Sequence, residues 1–153
     1  ALRTEGDQAA VTAAVGQLKG ATEDADVLLA LATQAAAAGL LDLASHIANR
    51  CGTAKALAAR VVVAYVRETV KIKRLDDGSA GPAQSEVYTR LMVGTRVECL
   101  KRLEEAVASA RRTADPELIT DGCVLMWNIA MPLLQPSLYQ HAVRALQLAA
   151  SAL

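Results

Sequence analysis

The chain has 153 residues, with 53% hydrophobic residues but only 3% aromatic and no Phe, so Ala, Leu and Val carry its apolar content. Sixteen basic and sixteen acidic residues give a formal net charge of zero, which excludes the broad positive field of a nucleic-acid module. The length suits one compact unit, a membrane span of about 20 apolar residues is missing, and an Ala-rich, aromatic-poor chain favours close-packed helices over a β-sandwich.

The pattern predicts a first helix from Asp7, whose carboxylate caps free N–H groups, through Ala10, Val11, Ala14 and Leu18 to Gly20. Thr22 or Asp24 caps a second, with Val27, Leu28, Leu31 and Ala35 on its apolar side and Gly39 as a left-handed stop. Leu40 and Leu41 open a third, carrying Leu43, Ala44, Ile47, Ala48 and Cys51 and closed by Gly52. A single-glycine joint makes the second and third helices antiparallel. Thr53 caps a fourth, apolar through Leu57, Val61, Ala64 and Tyr65 and basic at Lys71, Lys73 and Arg74. Those cations suit a helix C-terminus. They are also the candidate partner contact, for an acidic surface such as a tubulin tail, although a hydrated helix end is the preferred reading.

Asp76 to Pro82 collects helix-breaking residues and nothing to bury, which predicts a flexible loop over 75–84 between N-terminal hairpins over 1–74 and C-terminal hairpins over 85–153. Ser85, Val87 and Tyr88 open the longest helix, whose stripe passes Leu91, Met92, Leu100, Leu103 and Val107 toward Arg111 and Arg112, with Gly94 placed for a close helix contact. Asp115 followed by Pro116 is a strong start signal for the sixth.

That sixth helix runs into the most informative segment, Cys123 to Pro136, apolar on nearly every side and therefore in need of cover. Pro132 ends or kinks it and Pro136 sits where a new helix can begin, spelling helix, corner, helix. Trp127 is read as core, and Asn128 as a specified polar contact to a neighbouring helix, a corner backbone group or water. The last helix is expected from near Ser137, with Leu138, Ala142, Ala145, Leu146, Ala149 and Leu153 inward and Gln140, Arg144 and Gln147 toward water. The chain starts at Ala1 without Met and stops inside a helical pattern, so a piece of a longer polypeptide is expected.

Seven helices in short-cornered pairs predict an all-α fold of antiparallel hairpins stacked as a degenerate α-solenoid, one continuous repeat array. Leu28, Leu31, Ala32, Gly39 and Ala44 resemble the small-against-large pattern of tetratricopeptide repeats, without that motif's large aromatics and closing proline. Trp127-Asn128-Ile129, Pro132 to Pro136 and the Ala-rich helix after them resemble the large tetratricopeptide-containing cilia- and flagella-associated proteins of the motile axoneme's central apparatus. The resemblance implies a non-enzymatic structural component in the cytoskeleton of the cilium or flagellum. It would hold other central-apparatus proteins on a microtubule projection and support motility. A soluble adaptor presenting a groove to peptides outside cilia is the alternative, and an enzyme ranks third.

Chemistry-bearing residues are scattered. His46 and His141 lack converging ligands, Cys51, Cys99 and Cys123 lack CxxC spacing and suit buried thiols in a reducing compartment, and no base can be assigned to Cys99. Glu104 and Glu105 point about 100° apart on a helix, Asp76 and Asp77 lack an EF-hand's alternating ligands, and Gly78 and Gly81 miss the phosphate-loop order. No catalytic, cofactor-binding or metal-ligating residue is assigned, and neither nucleic acid nor membrane is an expected partner.

Overall fold

The computed structural model describes residues 24–79 and 90–153, and every regular element among them is helical. Six α-helices follow one another: α1 Ala25–Ala37, α2 Leu41–Arg50, α3 Leu57–Ser79, α4 Arg90–Ala110, α5 Pro116–Ala130 and α6 Val143–Ala152. Short 3-10 turns lie at Cys51–Thr53, Met131–Leu133 and Tyr139–His141. The helix expected over 7–20, the alternative cap Thr22, the 80–84 part of the expected loop and the helix start expected at Ser85, Val87 and Tyr88 lie outside the described residues.

Each of these helices packs on the next, and α1 also packs on α3, α3 on α5 and α4 on α6. Contact with the neighbour and the next-but-one is what stacked hairpins produce, so the expected all-α, solenoid-like arrangement is observed. Asp24 accepts the Asp26 N–H at 3.1 Å to start α1, and Gly39, at φ +83°, ends the turn after it. Leu28, Leu29, Ala32, Ala35 and Ala36 form the buried face of α1. The face is rotated from the expected stripe, so that Leu29 turns inward and Val27 outward.

The long helix α3 divides the interior. Ala59, Val63, Val66 and Val70 join α1 and α2 in one apolar cluster, whereas Val61, Tyr65 and Ile72 join α4, α5 and α6 in the other. Few α3 residues are left facing water because the helix is covered from both sides. It also meets α5, where Tyr65 donates its hydroxyl to the Leu118 carbonyl at 3.1 Å. A Cβ on Gly122 would fall 2.6 Å from Val107 Cγ2 and against the Tyr65 hydroxyl. Glycine at 122 therefore sets the axis spacing here, the role expected of Gly94, which instead is exposed with open space around it.

Three boundaries and one stripe residue differ from expectation. Thr53 ends a 3-10 turn and the fourth expected helix begins only at Leu57. Residues 75–79, expected in the loop, continue α3, because Leu75 packs on the second cluster and Asp76 pairs with buried Arg96 of α4. Long-range partners there outweigh local helix-breaking propensity. Leu91, expected in the α4 stripe, is exposed at its first turn. The last helix starts at Val143, not near Ser137: after exposed Pro136, Leu138 and Tyr139 donate back to the Gln135 carbonyl, at 2.9 and 3.0 Å, and a 3-10 turn follows. Pro132 does break its helix, with α5 giving way at Met131–Leu133 to 3-10 geometry.

Candidate interaction surface

The basic cluster at the end of α3 is bound up in internal ties. Lys71 pairs with Glu98 of α4 at 3.1 Å, Lys73 donates to the Ala36 and Ala37 carbonyls at 2.7 and 2.8 Å, and Arg74 pairs with Asp42 of α2 at 2.6 Å. Lys73 thus satisfies backbone acceptors at the C-terminus of α1, where a cation is favoured by the helix dipole as well. Three residues reach three different helices. Lys71 and neighbouring Arg102 in turn hold the exposed Glu98 carboxyl below its usual range, the hydrogen bond from Lys71 contributing most.

Between α3 and α4 lies a second polar cluster. Glu68 is buried, with one oxygen 3.4 Å from Arg102 and the other without a hydrogen-bond partner among the described residues. Beside it the Cys99 thiol is pushed up to about 12, first by burial and then by the Glu68 carboxylate. Burial raises Cys51 and Cys123 too, and all three are free and buried. Protonated, enclosed thiols are poor nucleophiles. Burial likewise raises Tyr65 above its ordinary value. No group of three or more His, Cys, Asp or Glu that could hold a metal occurs among the described residues, and no helix there is long and apolar enough to cross a membrane.

Two of the open surfaces among the described residues involve α5. A groove of about 770 Å³ runs across α1, α3 and α5, with Thr33, Val62, Tyr65 and Val124 among its lining and acidic Asp26 and Asp121 on its walls. Small Ala30, Ala37 and Ala58 leave the space. Asn128 stands on this wall, exposed and without a side-chain partner among the described residues, so that of the partners expected of it, a neighbouring helix, a corner backbone group or water, the first two are not seen there. The groove was not legible in sequence, because spacing within a helix does not reveal which helices will lie side by side. Its one signal was Asp121, an acidic residue just before the apolar run that starts at Cys123.

The other is the outer side of α5. Trp127 and Met131 are 49% and 51% exposed, Val124 at the edge shared with the groove is 53% exposed, and Leu134 and Tyr139 beyond the helix are exposed as well. Trp127 is thus not in the core. Leu118, Gly122, Cys123, Met126, Ile129 and Ala130 already fill the inward side of α5, and Trp127 lies on the opposite arc.

No family model matches the sequence, and no solved structure matches it. The chain is similar to a protein named cilia- and flagella-associated protein 46 from Chlamydomonas reinhardtii, at 33% identity over 119 residues. The match takes in 78% of this chain and 4% of the length of that relative. The resemblance carried by the Trp127 to Pro136 segment is to this same protein.

Proposed function

We propose that the chain is a non-enzymatic scaffold segment of the motile cilium or flagellum, one that positions neighbouring proteins of the central apparatus and so supports motility. The similarity over 78% of the chain to a cilia- and flagella-associated protein is the observation that carries this reading. The fold is in keeping with it: charged side chains such as Lys73, bonded to the end of α1, and Glu68, paired with Arg102, hold helices together. The groove across α1, α3 and α5 stays open while two apolar clusters fill the interior. The partners are other axonemal proteins, met through the groove and the α5 face rather than through Lys71, Lys73 and Arg74, whose charges already have internal partners.

The test is to tag the gene product in ciliated cells and image the axoneme by electron tomography. Label beside the central pair along the axoneme is the expected result, with paralysed or poorly beating cilia on deletion. Label confined to the cell body, or normal beating after deletion, overturns the proposal. One observation favours the adaptor reading as a second: the groove across α1, α3 and α5, whose acidic wall fits a peptide with basic residues.

A further inference from the structure

We propose that the groove across α1, α3 and α5 is the seat of an amphipathic α-helix of a partner protein, with small and aliphatic residues on its buried stripe and Lys or Arg on both flanks. This assignment rests on the adaptor reading, in which the groove receives a peptide, and specifies that peptide's conformation and charge. The helix α3 makes the floor, and α1 and α5 make the walls. Val62 packs on both apolar clusters, so it marks the seam along which the floor runs. Ala58, Val62, Tyr65 and Thr69 of the floor recur at intervals of three and four residues. So do Asp26, Ala30, Thr33 and Ala37 of one wall and Leu118, Asp121, Leu125 and Asn128 of the other. Each row therefore follows one helical stripe of about three turns, or about 16 Å.

The chemistry of the walls selects a helix over an extended chain. All three rows belong to α-helices, whose interior N–H and C=O groups are already paired, so no sheet edge is offered to an extended peptide. The main-chain polar groups of such a peptide would depend on side chains, and the groove supplies few. Thr33 is committed to the Leu29 carbonyl at 3.0 Å and Tyr65 to the Leu118 carbonyl, while Gln34, Thr69 and Asn128 are spread over three helices. Buried amide groups without partners are costly. A helix arrives with those groups paired internally and presents only side chains, for which Ala30, Ala37 and Ala58 leave room. Charge selects the flanks. Asp26 and Asp121 stand on opposite walls, both exposed and neither in an ion pair among the described residues. No Lys or Arg among those residues lines the groove, and nearby Lys73 is already bonded to the Ala36 and Ala37 carbonyls. A helix lying between two carboxylates is favoured, and its wrong partners rejected, when it carries a cation on each flank.

Panning a phage-displayed library of random peptides on the 153-residue chain, each of about 16 residues so that three helical turns can form, tests it once the winners are synthesised. Winners should carry apolar residues at i, i+3, i+4 and i+7 with Lys or Arg beside them, and gain helical circular dichroism on binding. They should shift the amide signals of Ala30, Val62 and Leu125 and leave that of exposed His46 on α2 in place. The double variant Asp26→Asn, Asp121→Asn keeps size and shape while removing the charges. It should weaken binding by about tenfold and flatten its salt dependence. Both positions are exposed, so its melting temperature should stay within about 2 °C of the parent. Groove-bound winners that lack helical spacing and induced helicity, or that are indifferent to the two Asn substitutions, overturn the proposed helix and leave the adaptor reading standing. Winners that shift amides elsewhere, or a library that yields none, overturn both. A dimer of the free chain that Ala30→Arg dissociates makes a second copy the occupant, and contacts from residues 1–23 to Val62 make it this chain itself; either result overturns the proposal.

Discussion

Among single residues, Gly122 shows most directly how contact distance limits what the sequence can hold. A methyl group there would meet the Tyr65 hydroxyl and ring and Val107 Cγ2. Tyr65 cannot swing away, because it is buried and bonded to the Leu118 carbonyl. Gly122→Ala would gain about 1 kcal/mol of helix propensity but incur about 1–3 kcal/mol of overpacking. A net loss is expected, read as a lower urea midpoint with an unchanged slope; a more stable variant would mean that the two helices slide apart freely. Cys99 makes a prediction of another kind. Its folded thiol is held at about 12, against an ordinary value of 9.0, so between those values the folded chain retains a proton that the unfolded chain loses. This contribution to stability is intact below about pH 9 and declines as pH rises toward 12. Urea midpoints at pH 8 and pH 10.5 should therefore fall less in Cys99→Ser than in the parent, and parallel declines would show that Cys99 does not titrate as described.

At the scale of elements, boundaries set by local chemistry were legible and those set by distant partners were not. Asp24, Gly39, Asp115 with Pro116, and Pro132 act within one turn of themselves, and each does what its side chain or ring dictates. The extension of α3 through residues 75–79 depends on Arg96, 20 positions from Asp76, and no local rule could supply it. The placement of Trp127 failed for a related reason. A helix apolar all round must be covered, but the pattern does not say whether the described residues do the covering. Ala114 is a further case: at φ 54° it takes the left-handed conformation that ends the turn after α4, a place where glycine would have given a signal. The caps themselves can be tested. Asp115 accepts the Glu117 and Leu118 N–H groups at 3.0 and 3.2 Å, so Asp115→Ala should cost about 1 kcal/mol. Amide exchange should quicken first at the start of α5, and uniform quickening along the helix would assign the loss elsewhere.

For the whole molecule, the division of the interior by α3 decides how the array should come apart. Two clusters that share one helix are coupled through that helix, and stability in such stacks is a sum of units and nearest-neighbour interfaces. Removing a side chain from one cluster should therefore loosen that end more than the other. Ile47 of α2 is 1% exposed in the first cluster and Leu103 of α4 is fully buried in the second. Each truncation to Ala should cost about 2–5 kcal/mol locally. With Ile47→Ala, amide exchange should rise in α1, α2 and part of α3 while α5 and α6 stay near the parent; with Leu103→Ala the order should reverse, from α4 to α6 outward. A single globular core would answer both substitutions alike along its whole length. The same gradient bears on function, because a scaffold that loosens by units can adjust one contact surface while its neighbour keeps its shape. Equal exchange profiles for the two variants would remove that property.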